Sequence, residues 1–207
     1  MEQQEQITIA EYQLTAEDYR NGTWNHDVSQ NREALIAAIS KEKGKILDLG
    51  CGPGRDLIAF QEMGYEVTGL DATPAFVEMA KQTAGCEVWQ QSFLSLNLPS
   101  NSFDGIFANA SLIHVPSAEM MGVLKHLNQA LSDYGVLLMS MVRGDQEGFS
   151  KRPTGYRYVT GWEYETLKPK LKAAKFQILH HYYRPQGMPI AECPWLVIVA
   201  QKIVDEL

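Results

Sequence analysis

The chain has 207 residues, 45% of them hydrophobic and 21% charged, which suits one globular domain with a sizeable core, since much longer chains are needed before cores divide. A net charge of −7 argues against a nucleic-acid partner, because phosphate binding needs a basic stripe and none is present. Cys51, Cys86 and Cys193 are scattered and lack C-x-x-C spacing, so neither a disulfide framework nor a zinc site is favoured. Met1–Gln6 shows no basic patch followed by an apolar core, and no window approaches the roughly 18 apolar residues of a membrane span. A reduced, cytoplasmic protein, neither exported nor inserted, is expected.

In chain order, the Gln/Glu-rich start reads as a frayed terminus. Asp27 or Ser29 can cap a helix over Gln30–Ser40 with Ala34, Leu35, Ala38 and Ile39 on its inner face. Strand Lys45–Leu49 leads through glycines 50, 52 and 54 into helix Arg55–Met63. Strand Glu66–Leu70 then precedes helix Pro74–Thr83, with proline at its first turn. Glu87–Gln91, Gly105–Ala108 and Val136–Val142 supply three further strands, and Ala118–Leu131 a helix. A Gly/Arg/Pro-rich loop over Arg143–Gly155 is followed by a helix at Tyr164–Ala174 and late strands at Gln177–Tyr183 and Trp195–Gln201. This order predicts one α/β domain over 1–207: a doubly wound, mostly parallel seven-stranded core over 44–207 that closes on a C-terminal antiparallel hairpin, with residues 1–43 as an N-terminal cap or lid.

The informative stretch is Ile46-Leu-Asp-Leu-Gly-Cys-Gly-Pro-Gly54. Glycines let this turn take positive φ and bring backbone N–H groups close to a ligand, while the helix N-terminus behind it favours negative charge. That is a site for a nucleotide-like ligand. The dinucleotide fingerprint wants G-x-G-x-x-G, but Arg55 stands where its third glycine would fall. Asp71 ends the second strand about 20 residues on, where a carboxylate can accept two ribose hydroxyls, the role the glycine motif upstream favours over capping the helix at Pro74. Asp48 can organise the turn by accepting loop N–H groups. Arg55 can pair with a carboxylate or lie along the helix.

The pattern D-x-G-x-G-x-G resembles motif I of the class I, Rossmann-like S-adenosylmethionine (SAM) methyltransferases. Phe103-Asp-Gly-Ile-Phe-Ala108, Leu112-Ile-His-Val115 and Leu131-Ser-Asp-Tyr-Gly-Val-Leu-Leu138 resemble that family's fourth- and fifth-strand segments, as in its ubiquinone and menaquinone biosynthesis members, with Tyr134 in place of a glycine. The resemblance implies SAM as the only cofactor and no metal. It also implies a cofactor site drawn from Asp48, Gly50, Cys51, Gly52, Gly54, Arg55, Asp71, Ala72, Ser92, Phe93, Asn109 and Ala110, with Asp104 structural. Ser92 departs from the family, which commonly has an acidic residue there for the adenine amine; a neutral hydroxyl makes a weaker bond than a charged one. The reaction implied is in-line displacement on the sulfonium methyl by an O, N, S or C nucleophile of a small polar or anionic metabolite, by a monomer or homodimer. Alignment and desolvation carry most of such a reaction.

His114, after the fourth strand at the carboxyl edge of the sheet, is the candidate base or orienter; the alternative is a packing histidine. For the acceptor, the aromatic and polar group Tyr12, Tyr19, Trp24 and His26 can fold over the cleft or merely dock the leading segment. Arg143 and Arg184 are the arginines expected to grip an anion, whereas Arg152 is expected to pair with Asp145 or Glu147. Two rivals stand beside this reading: a SAM- or nucleotide-binding regulator without chemistry, and an NAD-dependent oxidoreductase, which Arg55 disfavours.

Overall fold

The computed structural model describes residues 2–204. Nine strands and seven α-helices follow one another among those residues. Strands β1 (Lys45–Leu49), β2 (Glu66–Asp71), β3 (Glu87–Gln90), β4 (Phe103–Asn109) and β5 (Leu131–Val142) pair in parallel, in the order 3-2-1-4-5. After an antiparallel hairpin, β6 (Glu147–Arg152) with β7 (Gly155–Thr160), the sheet is completed by β8 (Phe176–Arg184) and β9 (Trp195–Lys202). β9 lies antiparallel between β5 and β8, giving seven strands ordered 3-2-1-4-5-9-8.

The helices cover both faces, and alternate residues of a strand therefore feed opposite cores. Leu47, Ile106 and Met139 pack on one side with Leu124 and Leu127 of α6 (Met120–Ala130) and Leu167 and Leu171 of α7 (Tyr164–Ala173). On the other side, Ile46, Phe107 and Leu138 meet Leu35 of α3 (Ser29–Ala38), Leu57 and Phe60 of α4 (Arg55–Glu62), and Val77 and Ala80 of α5 (Pro74–Ala84). Phe60 and Phe107 meet edge to face, with centroids 5.1 Å apart. Each such fully buried side chain is worth roughly 1.5–3 kcal/mol of transfer free energy.

Two expectations fail, both because polar tertiary contacts rather than apolar periodicity make the structure. The start of the chain is not frayed: α1 runs Glu2–Leu14 and α2 Ala16–Thr23. The most buried side chains of α1 are Thr8 and Glu11. Thr8 Oγ1 accepts the Tyr158 N–H at 2.9 Å, and Glu11 receives Thr154 Oγ1 at 2.8 Å and the Arg157 guanidinium. Half of the loop expected over 143–155 is strand β6, whose hairpin partner β7 carries α1. Asp104 accepts the Lys45 N–H and the Ser132 hydroxyl, tying β4 to the strands beside it. Tyr134, in the family's glycine position, takes φ 61° with its ring in solvent.

Candidate active site

The carboxyl ends of β1, β2 and β4 open onto a cleft beneath α1 and α2. The turn after β1 is drawn in by the N–H groups of Gly50 and Cys51, which both donate to the Leu70 carbonyl, at 2.7 and 3.0 Å. Gly50 has φ 79°, and a Cβ there would lie 2.3 Å from Ser111 Cβ, so only glycine lets β1 and β4 close here. At Gly52, by contrast, nothing comes nearer to a Cβ position than the Tyr19 ring at 3.9 Å; its missing side chain leaves space in the cleft. Gly54 packs instead against Ala80 and lines no part of the cleft.

The cleft has two compartments sharing a wall of Tyr12, Tyr19, Gly50, Gly52, Asn109, Ala110 and His114. The first is a half-open pocket lined by both polar and apolar side chains. Asp71, Ala72, Phe93 and Glu5 all line it. Asp71 Oδ2 accepts the Gly52 N–H at 3.0 Å and Oδ1 the Thr73 N–H at 2.8 Å; it thus braces the turn and begins α5 while its carboxylate still faces the cavity. Burial raises its pKa and those N–H donors oppose the rise. Ser92 is not in the cavity wall. Its hydroxyl donates to Glu5 Oε1 at 2.6 Å and accepts the Leu94 N–H at 3.0 Å.

The second, wider compartment takes in Asp48, Cys51, Arg55, Trp24, His26 and Arg184, together with Arg152 and Arg157. Asp48 is buried with Oδ2 unpartnered, and Ser111 Oγ is likewise an unpartnered buried atom in the first compartment's wall. Burial, and then repulsion from Asp56, hold the Asp48 carboxyl well above the usual range, against the pull of Arg55. A buried acceptor without a donor fits the ammonium of an amino-acid moiety, so these residues suit SAM. Arg55 pairs with Asp56 at 2.6 Å and donates to the Thr23 carbonyl at 2.8 Å, locking α2 over α4. Asn109 accepts from Asn31, which in turn receives the Tyr182 hydroxyl.

His114 sits where the compartments meet. Its Nδ1 is 2.6 Å from the Tyr158 carbonyl and its Nε2 2.9 Å from the Tyr12 hydroxyl. A carbonyl only accepts, so Nδ1 carries the proton and Nε2 accepts from Tyr12. Burial lowers the His114 pKa to about 4, leaving a neutral ring at physiological pH. Tyr12 is itself boxed by Tyr19 edge-on at 5.3 Å and by the Arg157 guanidinium 3.8 Å above its ring.

Arg143 lines neither compartment. It pairs with Glu163 at 3.1 Å, donates to the Ile190 carbonyl and lies 5.0 Å over the Tyr183 ring, bracing the loop before β9. Arg152 does the reverse of what its neighbours in sequence suggest. Glu147 is engaged by the Ser117 N–H and the Tyr158 hydroxyl, and Arg152 reaches the cleft with no carboxylate partner among the described residues. Sequence reasoning missed Glu5, Thr8 and Ile9, although with Tyr12 they fall at i, i+3, i+4 and i+7, one face of a helix. Among the described residues there is no cluster suited to a metal ion and no helix long and apolar enough to cross a membrane.

Residues 46–135 match the family model described as a methyltransferase domain. Trans-aconitate 2-methyltransferase of Escherichia coli is 34% identical over 110 residues, 52% of this chain and 43% of that protein. Sterol 24-C-methyltransferase ERG6B of Gibberella zeae is 27% identical over 77% of this chain and 46% of its own. The chain thus spans under half the length of these curated relatives. The crystal structure of Burkholderia thailandensis 1,6-didemethyltoxoflavin-N1-methyltransferase, with 1,6-didemethyltoxoflavin and S-adenosylhomocysteine bound, superposes with TM-score 0.76 at 22% identity, over 96% of this chain and 88% of that one. The glycine turn and the strand-end carboxylate therefore lie in a segment that matches the methyltransferase-domain family, and the chain as a whole has the fold of SAM-dependent methyltransferases.

Proposed function

We propose that this protein transfers the methyl group of SAM to a carboxylate oxygen of a small anionic metabolite. The observation that carries the reading is Arg152, a guanidinium in the wall of the acceptor compartment with no carboxylate partner among the described residues, in a chain of net charge −7. Local positive charge is what an anion needs to enter an acidic protein. Arg184, which donates one N–H to the Asp27 carbonyl at 2.7 Å, stands in the same compartment with donors to spare. One curated relative is named for trans-aconitate and another for a sterol, so the relatives' names agree on methyl transfer and diverge on the acceptor.

SAM, when bound, supplies an electrophilic methyl group and a neutral thioether leaving group. The chain's own residues hold and orient. Asp71 takes the ribose hydroxyls, the glycine turn lets the backbone approach, and Asp48 and Ser111 receive the amino-acid moiety. Tyr12 and Tyr19 exclude water from the junction of the compartments, with Tyr12 fixed by its bond to His114. Held at a pKa of about 4, neutral His114 is a weak base, and we assign it the positioning of Tyr12. A carboxylate acceptor matches this machinery because it is already deprotonated at neutral pH: the O–CH3 bond forms as the S–CH3 bond breaks, and no proton has to move. Small mono-, di- and tricarboxylates, screened beside amines, thiols and phenols for release of S-adenosylhomocysteine, test the reading. Carboxylates are expected to turn over; a neutral or amine acceptor as the best substrate would refute it.

A further inference from the structure

The wall of the nucleoside compartment contains an acidic side chain that comes from the far end of the chain. Glu5 lies on the second turn of α1, half-buried, and lines the first compartment beside Phe93, Leu94, Ala72 and Asp71. Its carboxylate accepts the Ser92 hydroxyl at 2.6 Å. Ser92 therefore has no proton left to offer a ligand: it goes to Glu5, while the oxygen accepts the Leu94 N–H. What Ser92 does is hold a carboxylate at the end of β3, where the sequence itself has none. With Tyr12 seven residues on, along the same face of α1, the helix spans about 10.5 Å, at 1.5 Å per residue, from Glu5 to the junction with the acceptor compartment.

We propose that Glu5 recognises the adenine amine, so that α1 completes the cofactor site and does not merely cover it. This rests on the placement of the nucleoside proposed above. An amine at C6 donates to a carboxylate; a carbonyl at the same position repels it. The site should thus select adenosine over inosine, and the selection should belong to α1.

The test measures affinities for S-adenosylhomocysteine and S-inosylhomocysteine by calorimetry. The intact protein is expected to prefer the adenosine form by about tenfold or more, the equivalent of one good hydrogen bond. Glu5→Gln, whose amide can donate to a carbonyl as readily as accept from an amine, is expected to bring the ratio to within about twofold. Asp71→Ala should weaken both ligands alike and leave the ratio intact. A second variant reports independently of how Glu5→Gln folds: Ser92→Asp sets one carboxylate against another and should weaken adenosine binding, and Glu5→Gln combined with Ser92→Asp should restore it. Full selectivity in a folded Glu5→Gln protein, no selectivity in the intact one, or tighter binding in Ser92→Asp overturns the role of Glu5 alone, provided Asp71→Ala still weakens both ligands. If Asp71→Ala leaves both affinities unchanged, the nucleoside lies elsewhere and this inference falls with that placement.

Discussion

The floor of the cleft and its roof are built by different means. The floor is strand ends and the turns that follow them, Asp48 to Gly54, Asp71 to Thr73 and Asn109 to Ser111, and its contacts are largely backbone: Gly50 and Cys51 on the Leu70 carbonyl, Gly52 and Thr73 on Asp71. The roof is long side chains from α1, α2, the β6–β7 hairpin and the end of β8. They reach across 102 residues from Tyr12 to His114, 146 from Glu11 to Arg157, and 157 from Arg184 to the Asp27 backbone carbonyl. A floor of main-chain groups tolerates little change in what it binds. A roof of side chains can be rebuilt residue by residue, and relatives named for acceptors as unlike as trans-aconitate and a sterol are what that division leads one to expect.

The division breaks most visibly at Gly50. Gly50→Ala adds a Cβ 2.3 Å from Ser111 Cβ at φ 79°, a left-handed position that itself costs about 1–2 kcal/mol. A lowered Tm and a loss of SAM affinity of roughly a hundredfold are expected, read by calorimetric melting and titration; an unshifted Tm would mean that the floor yields. Asp71→Ala comes next. It removes charge-assisted bonds worth about 1.5–3 kcal/mol each, so SAM affinity should fall at least about tenfold, with some loss of Tm because Gly52 and Thr73 lose their acceptor.

A roof residue should behave otherwise. Arg152→Ala is expected to raise the KM for a carboxylate acceptor about tenfold, the worth of one charged hydrogen bond, with SAM affinity and Tm unchanged in the same preparation. Should SAM affinity fall as far as acceptor affinity, floor and roof are not separable.

The smallest effect is on pH dependence. His114 has a folded pKa of about 4 against roughly 6.5 in the unfolded chain. Between those values the unfolded state binds the extra proton, so stability is full above about pH 6.5 and is lost as pH falls towards 4. His114→Gln should flatten that part of the Tm-against-pH curve; an unchanged slope would place the titrating group elsewhere.

Legibility in the sequence followed the same line. Glycines at alternate positions, an aspartate ending the second strand and apolar runs at strand length are local signals, and the parallel sheet and its late hairpin were readable from them; Asp71, Ala72 and Phe93 all stand in the wall of the first compartment. Arg143 was not, because its partners Glu163 and the Ile190 carbonyl are set by the course of the chain between β7 and β9. Nor was α1. Its stretch is rich in Gln and Glu, and its helix is held by Thr8 on a backbone N–H and by Glu11 on Arg157 and Thr154, contacts that leave no apolar stripe to find.

That last feature bears on how α1 would part from β7. Since its two most buried side chains are a threonine and a glutamate, lifting α1 from β7 exposes mainly polar and charged surface, and heat capacity and denaturant sensitivity both scale with the surface newly exposed, the former chiefly with its apolar part. Amide protons of α1 should therefore exchange through a local opening that urea scarcely promotes, while those of β1 and β4 wait for global unfolding. Because Glu11 and Arg157 are both largely buried, added salt screens that pair little and should leave the opening nearly unchanged.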